Sequence, residues 1–182
     1  MSTLAIRRRA AACPAAVAIL FALGPAPAPA ATRCTGASAA PSAAAAAARQ
    51  RAVVCEINRV RRRHGLAPVK RDARLARAAS RYAQAMVAGR FFSHTSPGGS
   101  TLHDRLRAAG YRGVAAGETL AWAEGRLAAP RAIVRSWMRS GPHRRVLLGR
   151  YRHVGVGVAL GSPFGRAMSG SATYAADFGA AR

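Results

Sequence analysis

The chain has 182 residues, enough for one domain with a substantial core. Its 29 Lys and Arg face 6 Asp and Glu, a formal net charge of +23. That balance ordinarily raises nucleic acid as a partner, yet no basic motif with interleaved aromatics is present. Beyond residue 30 no segment is long and apolar enough to cross a bilayer.

The N-terminus reads as a leader. Arg7-Arg8-Arg9 form a basic region, Ala15 to Leu23 an apolar one, and Gly24-Pro25 breaks it. Ala28-Pro29-Ala30 offers small residues for cleavage, so residues 1–30 have the layout of a secretory signal peptide. The competing reading, an N-terminal membrane anchor, requires a longer apolar run. The expected location is therefore secreted or associated with the cell envelope, where nucleic acid is not an expected partner. Without Arg7, Arg8 and Arg9, 26 bases still face 6 acids. Anionic cell-wall polymers or lipid headgroups suit that charge. Solvated helix faces explain the same arginines equally well.

Residues 31–51 are rich in Ala, Ser, Pro and Thr and read as a linker that gains helix toward its end. The domain is expected at 52–182. Cys13 falls in the leader, which leaves Cys34 and Cys55 as an even pair in an oxidising compartment. A disulfide would close a loop of about twenty residues, worth on the order of 3 kcal/mol. The rival for Cys34 is a lipid anchor, but Arg33 stands where an anchor needs a small residue.

Val53, Val54, Ile57 and Val60 recur at helical spacing, with Arg59, Arg61, Arg62 and Arg63 on the other side. Gly65 and Pro68 stop that helix. Asp72 is placed to cap a second helix with the stripe Leu75, Ala79, Tyr82 and Met86, ended by Gly89. Phe91-Phe92 opens a loop that turns through Pro97-Gly98-Gly99. Thr101 and Asp104 form a capping box for a short third helix. Glu118 lies between glycine-bounded segments. Pro130 starts a fourth helix with the core face Ile133, Val134, Trp137 and Met138, expected to stop at Gly141-Pro142. Val154, Val156 and Val158 then alternate with Gly155, Gly157 and Ala159. This is a strand whose glycine face admits a close neighbour. Tyr174, Ala176 and Phe178 mark a second strand. Helices first and strands last predict an α+β fold, with about four helices packed on a small, mainly antiparallel sheet.

The ordered set Leu66-x-Pro68, Ser93-His94-Thr95-Ser96-Pro97, Arg105-x-x-x-Ala109-Gly110-Tyr111, Gly117-Glu118, Trp137-x-x-Ser140, His143-Arg144, Gly155-Val156-Gly157 and Phe178-Gly179 resembles the bacterial branch of the CAP superfamily. This superfamily comprises cysteine-rich secretory, antigen 5 and pathogenesis-related-1 proteins with an SCP-like extracellular domain. The resemblance implies an α-β-α sandwich, secretion, and a central cleft lined by His94, Glu118 and His143. Ser93, Thr119 and Asp177 are expected beside them. The departures thin the polar shell of that cleft. Thr119 replaces the usual Asn, Val146 another Asn, and Ala175 and Ala176 a Thr and a Gln. Ser140 stands where eukaryotic relatives carry a second glutamate.

Two imidazoles and a carboxylate are a ligand set for zinc or another divalent cation, and related proteins are reported to hold metals there. The same three groups could instead satisfy one another as a buried polar cluster. The chain lacks a Gly-x-Ser-x-Gly elbow and a His-Glu-x-x-His helix, and has no free thiol if Cys34 pairs with Cys55. The leading expectation is a monomeric, non-enzymatic binding module for an envelope polymer, lipid or amphiphile. The alternative is a metal-dependent, peptidase-like hydrolase with Glu118 as its base.

Overall fold

The computed structural model describes residues 33–40, 46–165 and 170–180. The expected signal peptide lies outside them. Helix α1 (Ala46–Arg63) is followed by the short strand β1 (Lys70–Arg71), α2 (Ala73–Ala88) and α3 (Leu102–Ala108). Strand β2 (Ala115–Glu124) and a 3-10 turn (Gly125–Ala128) lead to α4 (Pro130–Arg139) and α5 (Gly141–Leu147). Strands β3 (His153–Leu160) and β4 (Ser171–Ala180) complete an α+β fold.

The sheet order is β1-β3-β4-β2. Strand β1 runs parallel to β3, while β3 with β4 and β2 with β4 are antiparallel. One face carries Val154, Val156, Val158, Tyr174, Ala176 and Phe178 against Val53, Ile57, Ile133, Val134, Trp137 and Leu147. The other face packs Leu120, Ala159 and Ala175 against Ala79, Tyr82, Ala83 and Met86 of α2. Strict alternation along the strands assigns these faces. Gly155 and Gly157 do what the pattern predicts. A Cβ at either would strike the α2 backbone, at Leu75–Ala76 and at Ala79.

The caps read from sequence form as hydrogen bonds. Asp72 accepts from the amides of Arg74 (2.8 Å) and Leu75 (3.3 Å). Thr101 and Asp104 close a reciprocal capping box. Gly65 adopts φ +68° after α1. After α2 the left-handed residue is Arg90 (φ 52°) rather than Gly89.

The structure differs from expectation in four places. Strand β2, which carries Glu118, has no clear signal in the sequence because glycine and small residues mask its alternation. The fourth helix ends on time, but a fifth starts at once, with Gly141-Pro142 as its first residues. Helix α1 begins at Ala46, inside the segment read as linker, and Ala37 is 1% exposed with its carbonyl bound to the Arg131 amide (2.8 Å). Arg61 is not on a solvated face. It is 3% exposed, and its guanidinium donates to the carbonyls of Ala67, Leu147, Gly149 and Tyr151. A helix pattern cannot distinguish an arginine facing water from one that caps a neighbouring helix's C-terminal carbonyls. Cys34 and Cys55 form a disulfide that ties residues 34–40 to α1. A paired Cys34 is not available to carry a lipid.

Candidate functional site

The site forms at the free edge of the sheet, where β2 has β4 on one side only. Glu118 and Asp177 are directly opposite in register on adjacent strands. Their side chains therefore emerge side by side on the α2 face. The segment after α2 folds over them. Tyr82 donates its hydroxyl to the Ser93 carbonyl (2.6 Å), which anchors that segment beside the carboxylates.

Glu118 is 7% exposed and both its oxygens are engaged. Oε1 lies 2.7 Å from His94 Nδ1, and Oε2 accepts from Arg105 Nη2 at 2.6 Å. The other arm of Arg105 donates to the carbonyls of His94 and Ser100, each at 3.1 Å. Its guanidinium also lies over the Tyr82 ring, 3.4 Å from the centroid. Charge-assisted bonds of this kind are short and strong, and stacking on an aromatic face adds to them. Arg105 thus joins α2, α3, β2 and the loop in one contact set. The sequence motif contained Arg105, but nothing set it apart from the many other arginines. Its role follows from geometry alone.

Accepting the His94 hydrogen bond, Glu118 raises the pKa of His94 above its ordinary value. His143 sits in the first turn of α5, which packs on the opposite face of β2. A Cβ at Gly117 would strike Tyr151 and approach Val146 there. The His143 pKa is lowered, first by burial and then by the nearby His94 charge. His94 thus stands on the Glu118 side of β2, while α5, which carries His143, packs on the other face.

Asp177 is fully buried. Its pKa is raised well above the usual carboxylate range, chiefly by burial and then by Glu118 beside it. Its oxygens find no donor among the described residues, and burial beside Glu118 favours the protonated form of Asp177. Thr119 lies on the face of β2 away from Glu118, pairs with Ala176 and is fully buried. Ser93 is exposed, and its hydroxyl accepts from the Thr95 amide (3.2 Å) in a local turn.

This donor set does not fit a divalent cation as placed. Among the described residues no three His, Cys, Asp or Glu side chains are grouped to hold a metal ion. The positive Arg105 guanidinium is bonded to Glu118 Oε2, and His94 Nδ1 lies against Oε1.

Residues 54–172 match the Cysteine-rich secretory protein family, CAP. The chain belongs to this family. It is 32% identical over 109 residues to the uncharacterized protein YkwD of Bacillus subtilis, covering 59% of this chain and 41% of YkwD. It is 36% identical over 102 residues to the uncharacterized membrane protein YlbC of the same organism, covering 56% and 29%. The CAP chain thus spans less than half the length of either relative. Among solved structures it resembles an extracellular protein containing an SCP domain from Bacillus anthracis. That match has a TM-score of 0.60 and 26% identity, over 72% of this chain and 40% of the other. It also resembles an outer surface protein from Borrelia burgdorferi, with a TM-score of 0.61 and 20% identity over 71% and 90%. At that identity the Borrelia match speaks for the fold alone. Among the described residues no helix is long and apolar enough to cross a membrane.

Proposed function

We propose that this CAP domain is an exported binding module that captures envelope material at the β2-edge cleft, without chemistry of its own. The state of Glu118 carries the reading. A general base needs a free lone pair facing its substrate proton, and a metal ligand needs one facing the ion. In Glu118 each oxygen is already engaged, by His94 or Arg105, and the residue is 7% exposed beside the buried Asp177, so little of its carboxylate is open to a substrate or an ion. The hydroxyl of Ser93 accepts from the Thr95 backbone amide and has no imidazole partner among the described residues. What remains is a polar floor beneath the exposed loop that carries His94, on a strongly cationic scaffold.

Export rests on the leader at residues 1–30, and the extracellular description of the Bacillus anthracis relative agrees with it. An anionic cell-wall polymer is the occupant best matched to the charge, and a lipid or amphiphile is the second. We expect the domain to act as a monomer.

The deciding experiment loads the purified mature protein with zinc and measures bound metal by mass spectrometry. In parallel it measures retention on isolated anionic cell-wall polymer for the wild type and the His94→Ala, His143→Ala double variant. Polymer retention that weakens in the double variant, with no stoichiometric metal, is the expected result. Stoichiometric zinc that activates peptide hydrolysis, and loss of both in the double variant, would replace this reading with the hydrolase.

A further inference from the structure

Away from the cleft, α1 and α4 enclose a groove of about 260 Å³ whose polar lining is Glu56, Arg59, Arg63, His64, Arg131 and Arg135. Arg59 and Arg63 stand one turn apart on α1, and Arg131 and Arg135 one turn apart on α4. Residues four apart share a helix face, so each wall presents a pair of guanidinium groups to the other.

Glu56 orders this arrangement from below. It is 4% exposed, and its carboxylate accepts from Arg59 (3.4 Å) and Arg131 (3.2 Å), one from each wall. It is the only acid among the lining residues, against the four arginines. One carboxylate cannot neutralise four guanidinium groups, so three positive charges stay uncompensated. Arg63 and Arg135 are exposed and bind no acceptor among the described residues. The floor is apolar, with Val134 1% exposed and Val60 and Met138 partly buried beside it. The disulfide-tied segment 34–40 adjoins the Glu56 end, where Ala37 bonds the Arg131 amide and Cys55 precedes Glu56.

We propose that this groove is an anion site for an organic phosphate. The guanidinium fork matches phosphate oxygens bidentately, and walls of paired arginines supply more donors than a second carboxylate could use. The volume suits a phosphate and a short apolar substituent lying over Val60, Val134 and Met138. This site is independent of the cleft and of the reading given above for it. General positive charge spreads over the whole surface. Here arginines from two walls line one open groove, and a buried carboxylate orients two of them.

Two sources share this chemistry, a soluble organic phosphate and a phospholipid headgroup. The probes are butyl phosphate, followed by heteronuclear NMR, and phosphatidylcholine vesicles with or without phosphatidic acid, followed by co-sedimentation. Butyl phosphate is expected to shift the amides of 56–64 and 131–138. Arg63→Gln with Arg135→Gln should weaken it by about tenfold to a hundredfold, because charged hydrogen bonds are lost. These exposed side chains hold no internal bond, so the variant should fold. Arg62→Gln with Arg81→Gln removes the same charge outside the groove and should leave affinity within about twofold. Vesicle binding that needs phosphatidic acid and fails in the groove variant assigns the source to a headgroup. Binding of butyl phosphate alone supports the site with a soluble source. Equal weakening in both variants, or no response to either probe, would overturn the proposal.

Discussion

Arg105 and Glu118 meet at 2.6 Å with side chains 10% and 2% exposed, so the main cation of the cleft is a protein side chain. Removing one partner of a buried pair strands the other charge. Arg105→Gln is therefore expected to cost about 3 kcal/mol in urea unfolding. Adding Glu118→Gln should restore part of that loss. Simple additivity of the two substitutions would mean that the pair is not coupled.

The two cleft histidines should titrate in a fixed order. His143 should lose its proton below the ordinary histidine value and His94 above it, as read by histidine NMR shifts. The signs follow from linkage. The raised His94 value contributes stability that is complete below 6.5 and is lost as pH rises through its folded pKa. The lowered His143 value acts the other way, and stability falls as pH drops below 6.5. Glu118→Gln should bring His94 back toward the ordinary value. An unmoved His94 would show that Glu118 does not hold its proton.

Asp177 is expected to be a burden on stability. Its raised pKa means that the unfolded chain releases the proton at lower pH than the folded one. Stability is therefore lost as pH climbs from about 3.8 toward the folded value. Asp177→Asn keeps the shape and removes the titration. At neutral pH it should stabilise by on the order of 1 kcal/mol, with a gain that shrinks in acid. A pH-independent loss of stability would instead assign Asp177 a charged structural role.

The Cys34–Cys55 bridge closes a 21-residue separation. Thiol titration of the unfolded, unreduced protein should find no free thiol in the mature chain. The Cys34→Ala, Cys55→Ala variant should lose about 3 kcal/mol, largely through the unfolded state. If it also frees the segment 34–40, the Arg131 amide should exchange faster with solvent.

Much of this fold follows from local rules, and those rules operate on neighbours in sequence. Asp72, Thr101 and Asp104 cap helices because a side-chain oxygen reaches an amide two or three residues on. Gly155 and Gly157 announce a close helix because only the lack of a Cβ allows it. Glu118 and Asp177 show where such reading ends. Neither has an acidic neighbour beside it in sequence, and the β2–β4 register alone makes them a pair. Thr119 follows Glu118 directly, yet strand alternation sends it to the other face.

The sequence by itself determined the family, most helix boundaries, the even cysteine pair and the three segments that supply His94, Glu118 and His143. Only the tertiary structure decided what those residues do to one another. Arg61 and Arg105 look alike in the chain, yet one caps buried carbonyls and the other holds Glu118. The reason is physical. A guanidinium's effect depends on which acceptors surround it, and here they come from distant segments that only folding brings together.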